Sequence, residues 1–147
     1  ARTSARHVPP VYNTWYGYMT HIDQTLCEKI VPLVAESGCR YFVIDDGWQP
    51  VYGDWHVDRD KFPRDLSHIH ELCAAHGLKL GIWVAPTEVR DASVEKRTFL
   101  DSLQLGVDGK PVRNGIKMCF ASGPGVRHFT ERITELIKKY LSYFFNI

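Results

Sequence analysis

Long apolar runs, like-charge blocks and paired cysteines are all missing from this 147-residue chain. No apolar stretch approaches the ~18 residues that a membrane span requires, and no signal-peptide pattern opens the sequence. Charge is nearly balanced, with 18 basic and 17 acidic residues spread without blocks for a net charge of +1. That distribution offers no footprint to nucleic acid or to an anionic membrane. The four cysteines (Cys27, Cys39, Cys73 and Cys119) include no C-x-x-C pair and no zinc-like grouping with histidine. They read as buried free thiols. No glycine-rich phosphate loop follows an expected strand, and no G-x-S-x-G elbow occurs, which removes the usual nucleotide and serine-hydrolase signatures. His68 and His70 lie two apart on an expected helix and so do not share a face. Neither a metal site nor a cofactor is expected.

What is present is an apolar content of 44%, enough for one core, together with four tryptophans and seven tyrosines that favour stacking roles. The chain starts at Ala1 with no initiating methionine, which leaves room for upstream sequence. Residues 1–10 end in Pro9-Pro10 and read as a linker; residues 11–147 read as one unit. Val11 to Tyr16 alternates as a first strand. A helix over His21 to Ser37 follows, with Ile22, Leu26, Ile30 and Leu33/Val34 on one face and Gly38 as its stop. Pro32 inside it predicts a kink or a restart. The second strand is Arg40 to Asp45, followed by a loop of about 17 residues, a length that tends to be functional. A helix over Leu66 to His76, stopped by Gly77, leads to a third strand, Leu78 to Val84, ended by Pro86. Asp108-Gly109 marks a hairpin turn between Leu103–Val107 and Pro111–Met118. An amphipathic helix after Pro124 places Val126, Phe129, Ile133, Leu136 and Ile137 at helical spacing, and Leu141 to Ile147 reads as a fourth strand.

Alternation of this kind predicts an α/β fold: a partial TIM (β/α)8 barrel comprising about the first four parallel strands and three helices, with a small β-hairpin excursion after strand 3. A small flavodoxin-like open sheet is the structural competitor. The strand exits carry the chemistry. Asn13, Trp15 and Tyr16 stand at the exit of the first; Asp45, Asp46 and Trp48 at that of the second; Trp83 and, just beyond, Glu88 at that of the third. Carboxylates accept hydrogen bonds from hydroxyls and indole faces cover sugar C–H surfaces, so the set points to a carbohydrate site. Retaining glycosidases need two carboxyl groups ~5–5.5 Å apart across the scissile bond. Neighbours on a strand point to opposite faces, so Asp45 and Asp46 fit hydroxyl recognition better than catalysis. Asp54-Trp55 suits either a rim contact or the folding of the long loop onto the barrel.

The ordered set Val11-Tyr12-Asn13-Thr14-Trp15, Phe42-Val43-Ile44-Asp45-Asp46-Gly47-Trp48, Gly53-Asp54-Trp55, Lys61-Phe62-Pro63 and His76-Gly77-Leu78-Lys79-Leu80-Gly81-Ile82-Trp83-Val84-Ala85-Pro86 resembles α-galactosidases (melibiases) of glycoside hydrolase family 36, in clan D. The related family 27 enzymes usually carry cysteine where Gly47 stands. The resemblance implies a retaining double-displacement enzyme acting on terminal α-galactosides of raffinose or melibiose type. It implies that Asp45 and Asp46 hold the galactose hydroxyls farthest from the scissile bond. Trp15 and Trp83 would line the same subsite, with Trp48 near its rim. The implied partner is an α-galactoside, and the resemblance is compatible with a homo-oligomeric full-length enzyme.

The resemblance also implies a Lys-x-Asp motif on the fourth strand, its aspartate being the nucleophile, and an acid/base aspartate on the sixth. Leu141-Ser142-Tyr143-Phe144-Phe145-Asn146-Ile147 contains neither lysine nor aspartate, so no catalytic residue is assigned in this chain. The expectation is a fragment that recognises galactose and is inactive alone. Its alternatives are a raffinose- or stachyose-synthase-like galactosyltransferase fragment, a noncatalytic carbohydrate-binding remnant, or an unrelated barrel enzyme with Asp45 and Asp46 as metal ligands.

Overall fold

Three short apolar segments pair side by side, each followed by the polar exit seen in the sequence. The computed structural model describes residues 9–90, 116–121 and 123–140. Strands β1 (Val11–Asn13), β2 (Tyr41–Ile44) and β3 (Lys79–Ile82) form a parallel sheet in the order β1-β2-β3. Val11 pairs with Tyr41, and Tyr41 with Lys79, so the three exits lie level with one another. In the central strand Phe42, Val43 and Ile44 are completely buried. A strand covered on both faces reads as a continuous apolar run, which is why this segment does not alternate.

Helix α1 (Trp15–Tyr18) is a single turn, α2 (Gln24–Glu36) and α3 (Asp65–Ala75) are the crossovers, and α4 (Gly123–Tyr140) is the long amphipathic helix. The alternation is that of an α/β fold with a parallel sheet. A separate ribbon pairs β4 (Glu88–Val89) antiparallel with β5 (Ile116–Lys117). The Asp108-Gly109 turn and the fourth strand expected at 141–147 lie outside the described residues, as does most of the 1–10 linker.

Several expectations shift. The first strand ends at Asn13, not Tyr16, because Tyr18 and Met19 N–H groups turn back to Thr14 and Trp15 carbonyls. Trp15 therefore leaves the sheet on a helical turn. Pro32 sits inside α2 without splitting it. It removes one N–H donor, and the burial of neighbouring Ile30, Val31 and Val34 carries the helix across that gap. The inward face of α2 is centred on Cys27, Ile30, Val31 and Val34, leaving Leu33 62% exposed. In α4 the buried positions are Gly125, His128, Ile133, Leu136 and Tyr140, while Val126 and Ile137 face solvent more than expected. Pro124 falls in the first turn, where a missing N–H costs nothing. The four cysteines are free thiols, and burial pushes Cys73 up to about 12.

Asp65 joins α3 to α4. Its Oδ1 accepts from the Tyr140 hydroxyl (2.6 Å) and the Leu66 N–H (2.9 Å), and its Oδ2 from Lys139 (2.8 Å) and Arg59 (2.9 Å). Burial alone would raise this carboxyl's pKa, but the bonds from Lys139, Tyr140 and Leu66 outweigh it and the net shift is downward. A depressed carboxylate contributes stability above the ordinary range near ~3.9, and that stability is lost as pH falls through the folded value. Lys139 and Arg59 are more than half exposed, so most of the contribution belongs to Tyr140 and Leu66. Asp65 has φ +69°, which asparagine tolerates, so Asp65→Asn removes the charge while keeping the backbone. Urea unfolding at pH 7 should show a loss of about 1–2 kcal/mol, with the difference from wild type closing below about pH 4.

Candidate functional site

Beyond the last paired residues, side chains continue the tie between strands. The Asp45 N–H donates to Thr14 Oγ1 (2.9 Å), and Asn13 Nδ2 donates to Asp45 Oδ2 (2.7 Å). Asn13 Oδ1 accepts from the Trp15 N–H (2.7 Å), so one amide side chain fixes both Trp15 and Asp45. On the other side the Trp83 N–H donates to the Ile44 carbonyl (2.8 Å), extending the β2–β3 ladder.

Asp45 and Asp46 lie past the end of β2 and are only 8% and 9% exposed. Each is held from two sides. The Asp46 N–H donates to Asp45 Oδ1 (2.8 Å), and the Gly47 N–H donates to Asp46 Oδ1 (2.7 Å). The Tyr52 hydroxyl donates to Asp46 Oδ2. An ionised carboxylate accepts at about four lone-pair sites, so each keeps capacity for a ligand. Strand alternation would have sent the two carboxylates to opposite faces. Because the strand stops at Ile44, the corner at Gly47 (φ +101°) turns both into the wall of one cleft.

That cleft has a volume of about 500 Å³, within the range of small-molecule sites, and is lined by Asn13, Trp15, Tyr16, Asp45, Asp46, Tyr52 and Trp83. Trp15 is 37% exposed and Tyr16 93% exposed, which puts apolar ring surface on the solvent side of two buried carboxylates. Trp48 is the departure. It is completely buried rather than at the rim, and its Nε1–H donates to the Trp83 carbonyl (2.8 Å). Trp55 is also completely buried, its ring 5.5 Å from those of His128 and Phe129, so Asp54-Trp55 folds the long loop onto α4. Glu88 pairs with Lys117 in the β4–β5 ribbon and does not line the cleft. His68 bonds Glu28 (2.7 Å) and Arg64 (3.2 Å), and among the described residues no cluster of three ligands for a metal exists.

Tyr52 was not singled out by the sequence. The unusual length of its loop was the available signal, and its ring also lies edge-on to Trp83 at 6.4 Å. Burial, the hydrogen bond to Asp46 and the Asp46 charge push the Tyr52 phenol up to about 12, against an opposing pull from Arg90.

The sequence matches the melibiase family profile across residues 1–142. The chain belongs to the melibiase family. Among curated relatives, α-galactosidase C of Emericella nidulans is 32% identical over 149 aligned residues, which cover 88% of this chain and 20% of that protein. TtGalA, an α-galactosidase from Thermus thermophilus solved with p-nitrophenyl α-D-galactopyranoside, superposes with a TM-score of 0.86 at 29% identity, covering 97% of this chain and 31% of the other. The GH36 α-galactosidase AgaA from Geobacillus stearothermophilus superposes with a TM-score of 0.84 at 26% identity, covering 95% and 21%. The melibiase chain described here thus spans about a fifth of the length of the curated relative. These structural likenesses favour the α-galactosidase frame over a flavodoxin-like open sheet.

In this melibiase corner, a Cβ on Gly47 would stand 2.5 Å from the Thr20 carbonyl oxygen, at a φ that side chains rarely adopt. Gly47→Ala should therefore lose about 2 kcal/mol or more in urea unfolding, the sum of left-handed strain and a backbone clash. Asp46→Asn removes the charge that opposes ionisation of Tyr52. Carbon-13 tyrosine NMR should then show that phenol titrating nearer to 10 than in the wild type.

Proposed function

We propose that this chain forms the galactose-recognising first half of a (β/α)8 retaining α-galactosidase barrel, with the bond-breaking residues outside its sequence. The observation that carries this reading is the joint lining of one cleft by Asp45, Asp46, Trp15 and Trp83. Two pre-oriented carboxylates with spare lone pairs suit a pair of sugar hydroxyls. The indoles offer apolar faces to the C–H side of the ring. The solved complex of TtGalA with p-nitrophenyl α-D-galactopyranoside, and another of the same enzyme with stachyose, support an α-galactoside as the ligand class.

In this role Asp45 and Asp46 bind and orient the galactose hydroxyls away from the scissile bond. Asn13, Thr14 and Tyr52 keep those carboxylates in place. Trp48 acts by fixing the backbone at Trp83, not by touching the sugar. β1 and β3 are the edges of the described sheet, and Val11 on β1 is 43% exposed. An exposed apolar edge such as that of β1 favours continuation of the sheet into a closed barrel.

Retaining hydrolysis needs a carboxylate that attacks the anomeric carbon and an acid that protonates the leaving oxygen. Asp45 and Asp46 are committed to neighbouring donors on one wall of the cleft and are not assigned either task. Residues 1–147 should accordingly release no p-nitrophenol from p-nitrophenyl α-galactoside. Nuclear magnetic resonance should nevertheless detect weak galactose binding at the Trp15 and Trp83 indoles, weakened about tenfold by Asp45→Asn. Turnover that disappears in Asp45→Asn would sink the division of labour, and silent indoles would sink the recognition role.

A further inference from the structure

The Asp46–Tyr52 bond is a partition with space on both sides. One side is the cleft described above. The other is a second cleft of about 400 Å³, lined by Asp46 and Tyr52 together with Gln49, Lys61, Arg90 and the corner at Gly47. Gln49 is only 6% exposed, yet among the described residues neither its Oε1 nor its Nε2 has a hydrogen-bond partner. A buried amide left short of both a donor and an acceptor carries the desolvation penalty of both groups. An apolar side chain would avoid that cost at a position that served packing alone.

The chemistry of the lining narrows the ligand. The Lys61 ammonium is occupied by the Thr20 and Gly47 carbonyls, at 3.0 and 2.9 Å. The Arg90 guanidinium lies 5.0 Å from the centre of the Tyr52 ring. The Asp46 carboxylate stands in the same wall, which disfavours an anion. An anion would also satisfy only the amide N–H and leave Oε1 unpaired. Hydroxyls both donate and accept, so two neighbouring hydroxyls of one sugar complete both halves of the Gln49 amide and a spare lone pair on Asp46. We infer that the cleft around Gln49 is a second saccharide site, taking a neutral hexose unit across the Asp46–Tyr52 partition from the galactose cleft. This inference rests on the reading of the first cleft as a galactose site for the class of its ligand. The hexose is a separate molecule, because Asp46 faces the end of the galactose farthest from the scissile bond and further units of an oligosaccharide leave from the other end.

The test is a titration of the whole 147-residue chain, labelled with nitrogen-15 at glutamine amides and tryptophan indoles. Galactose, raffinose and inorganic phosphate serve as separate probes, and Gln49→Met identifies the Gln49 resonance. The expected result is that sugar shifts the Gln49 amide and that Asp45→Asn, which lines only the first cleft and keeps an oxygen for the Asp46 N–H, leaves this response in place. A response to galactose alone supports a separate hexose; a response confined to raffinose overturns the placement across the partition. Gln49→Met should weaken the second binding step about tenfold without lowering the thermal midpoint. Indoles that respond while Gln49 stays silent overturn the second site and leave the first intact. Gln49 responding with silent indoles supports the second site and overturns the first. Silence at both overturns both. A response to phosphate but not sugar overturns the ligand class. A fall in thermal midpoint for Gln49→Met with an unchanged sugar response makes the amide structural.

Discussion

At Gly47 one stretch of backbone passes another more closely than any side chain would permit. The position a Cβ would take lies 2.5 Å from the Thr20 carbonyl oxygen, and Lys61 donates to that carbonyl and to the carbonyl of Gly47. Three segments distant in sequence are thereby locked at one point: the end of the first connection, the corner after β2, and the tail of the long loop. The direction in which Asp45 and Asp46 face depends on that lock. A corner that swung outward would separate the carboxylates from Asn13, Thr14 and Tyr52 together.

Around this point the site is built outward from the sheet in layers of decreasing regularity. Backbone ladder bonds end at Asn13, Ile44 and Ile82; bonds from Thr14 and to the Ile44 carbonyl continue them by one step. Side-chain bonds from Asn13, Trp48 and Tyr52 then fix the groups that face the cleft. The buried core lies directly beneath, with Phe42, Ile44, Trp48 and Ile82 completely enclosed. Interior packing at this density resists small displacements, so the polar groups sit on a rigid base.

Element identity along β1, α2, β2, α3 and β3 was legible because periodicity, turn residues and helix stops agreed, and the melibiase family was legible in the ordered motifs. The places where reading failed share a cause. Strand alternation predicts opposite faces for Asp45 and Asp46, but it ceases to apply once the strand ends at Ile44 and the chain turns at Gly47. Trp48 looks like an exposed aromatic because it follows two acids and a glycine; only the fold reveals that its indole is enclosed and bonded to Trp83. Tyr52 and Gln49 carry no motif of their own. Their importance lies in what a 17-residue-class loop brings next to Asp46, a contact that local sequence does not encode. Pro32 shows the converse, a local signal overruled by burial of the neighbouring face.

The twofold anchoring of each carboxylate also bears on discrimination between stereoisomers. Protein donors already occupy part of each carboxylate's hydrogen-bonding capacity, so the remaining lone pairs have fixed directions. On the proposed reading, an epimer that turns one hydroxyl away forfeits a bond and also leaves a nearly enclosed charge short of a donor. Rejection of the wrong sugar then comes from that deficit rather than from a steric wall, which is the more selective of the two devices.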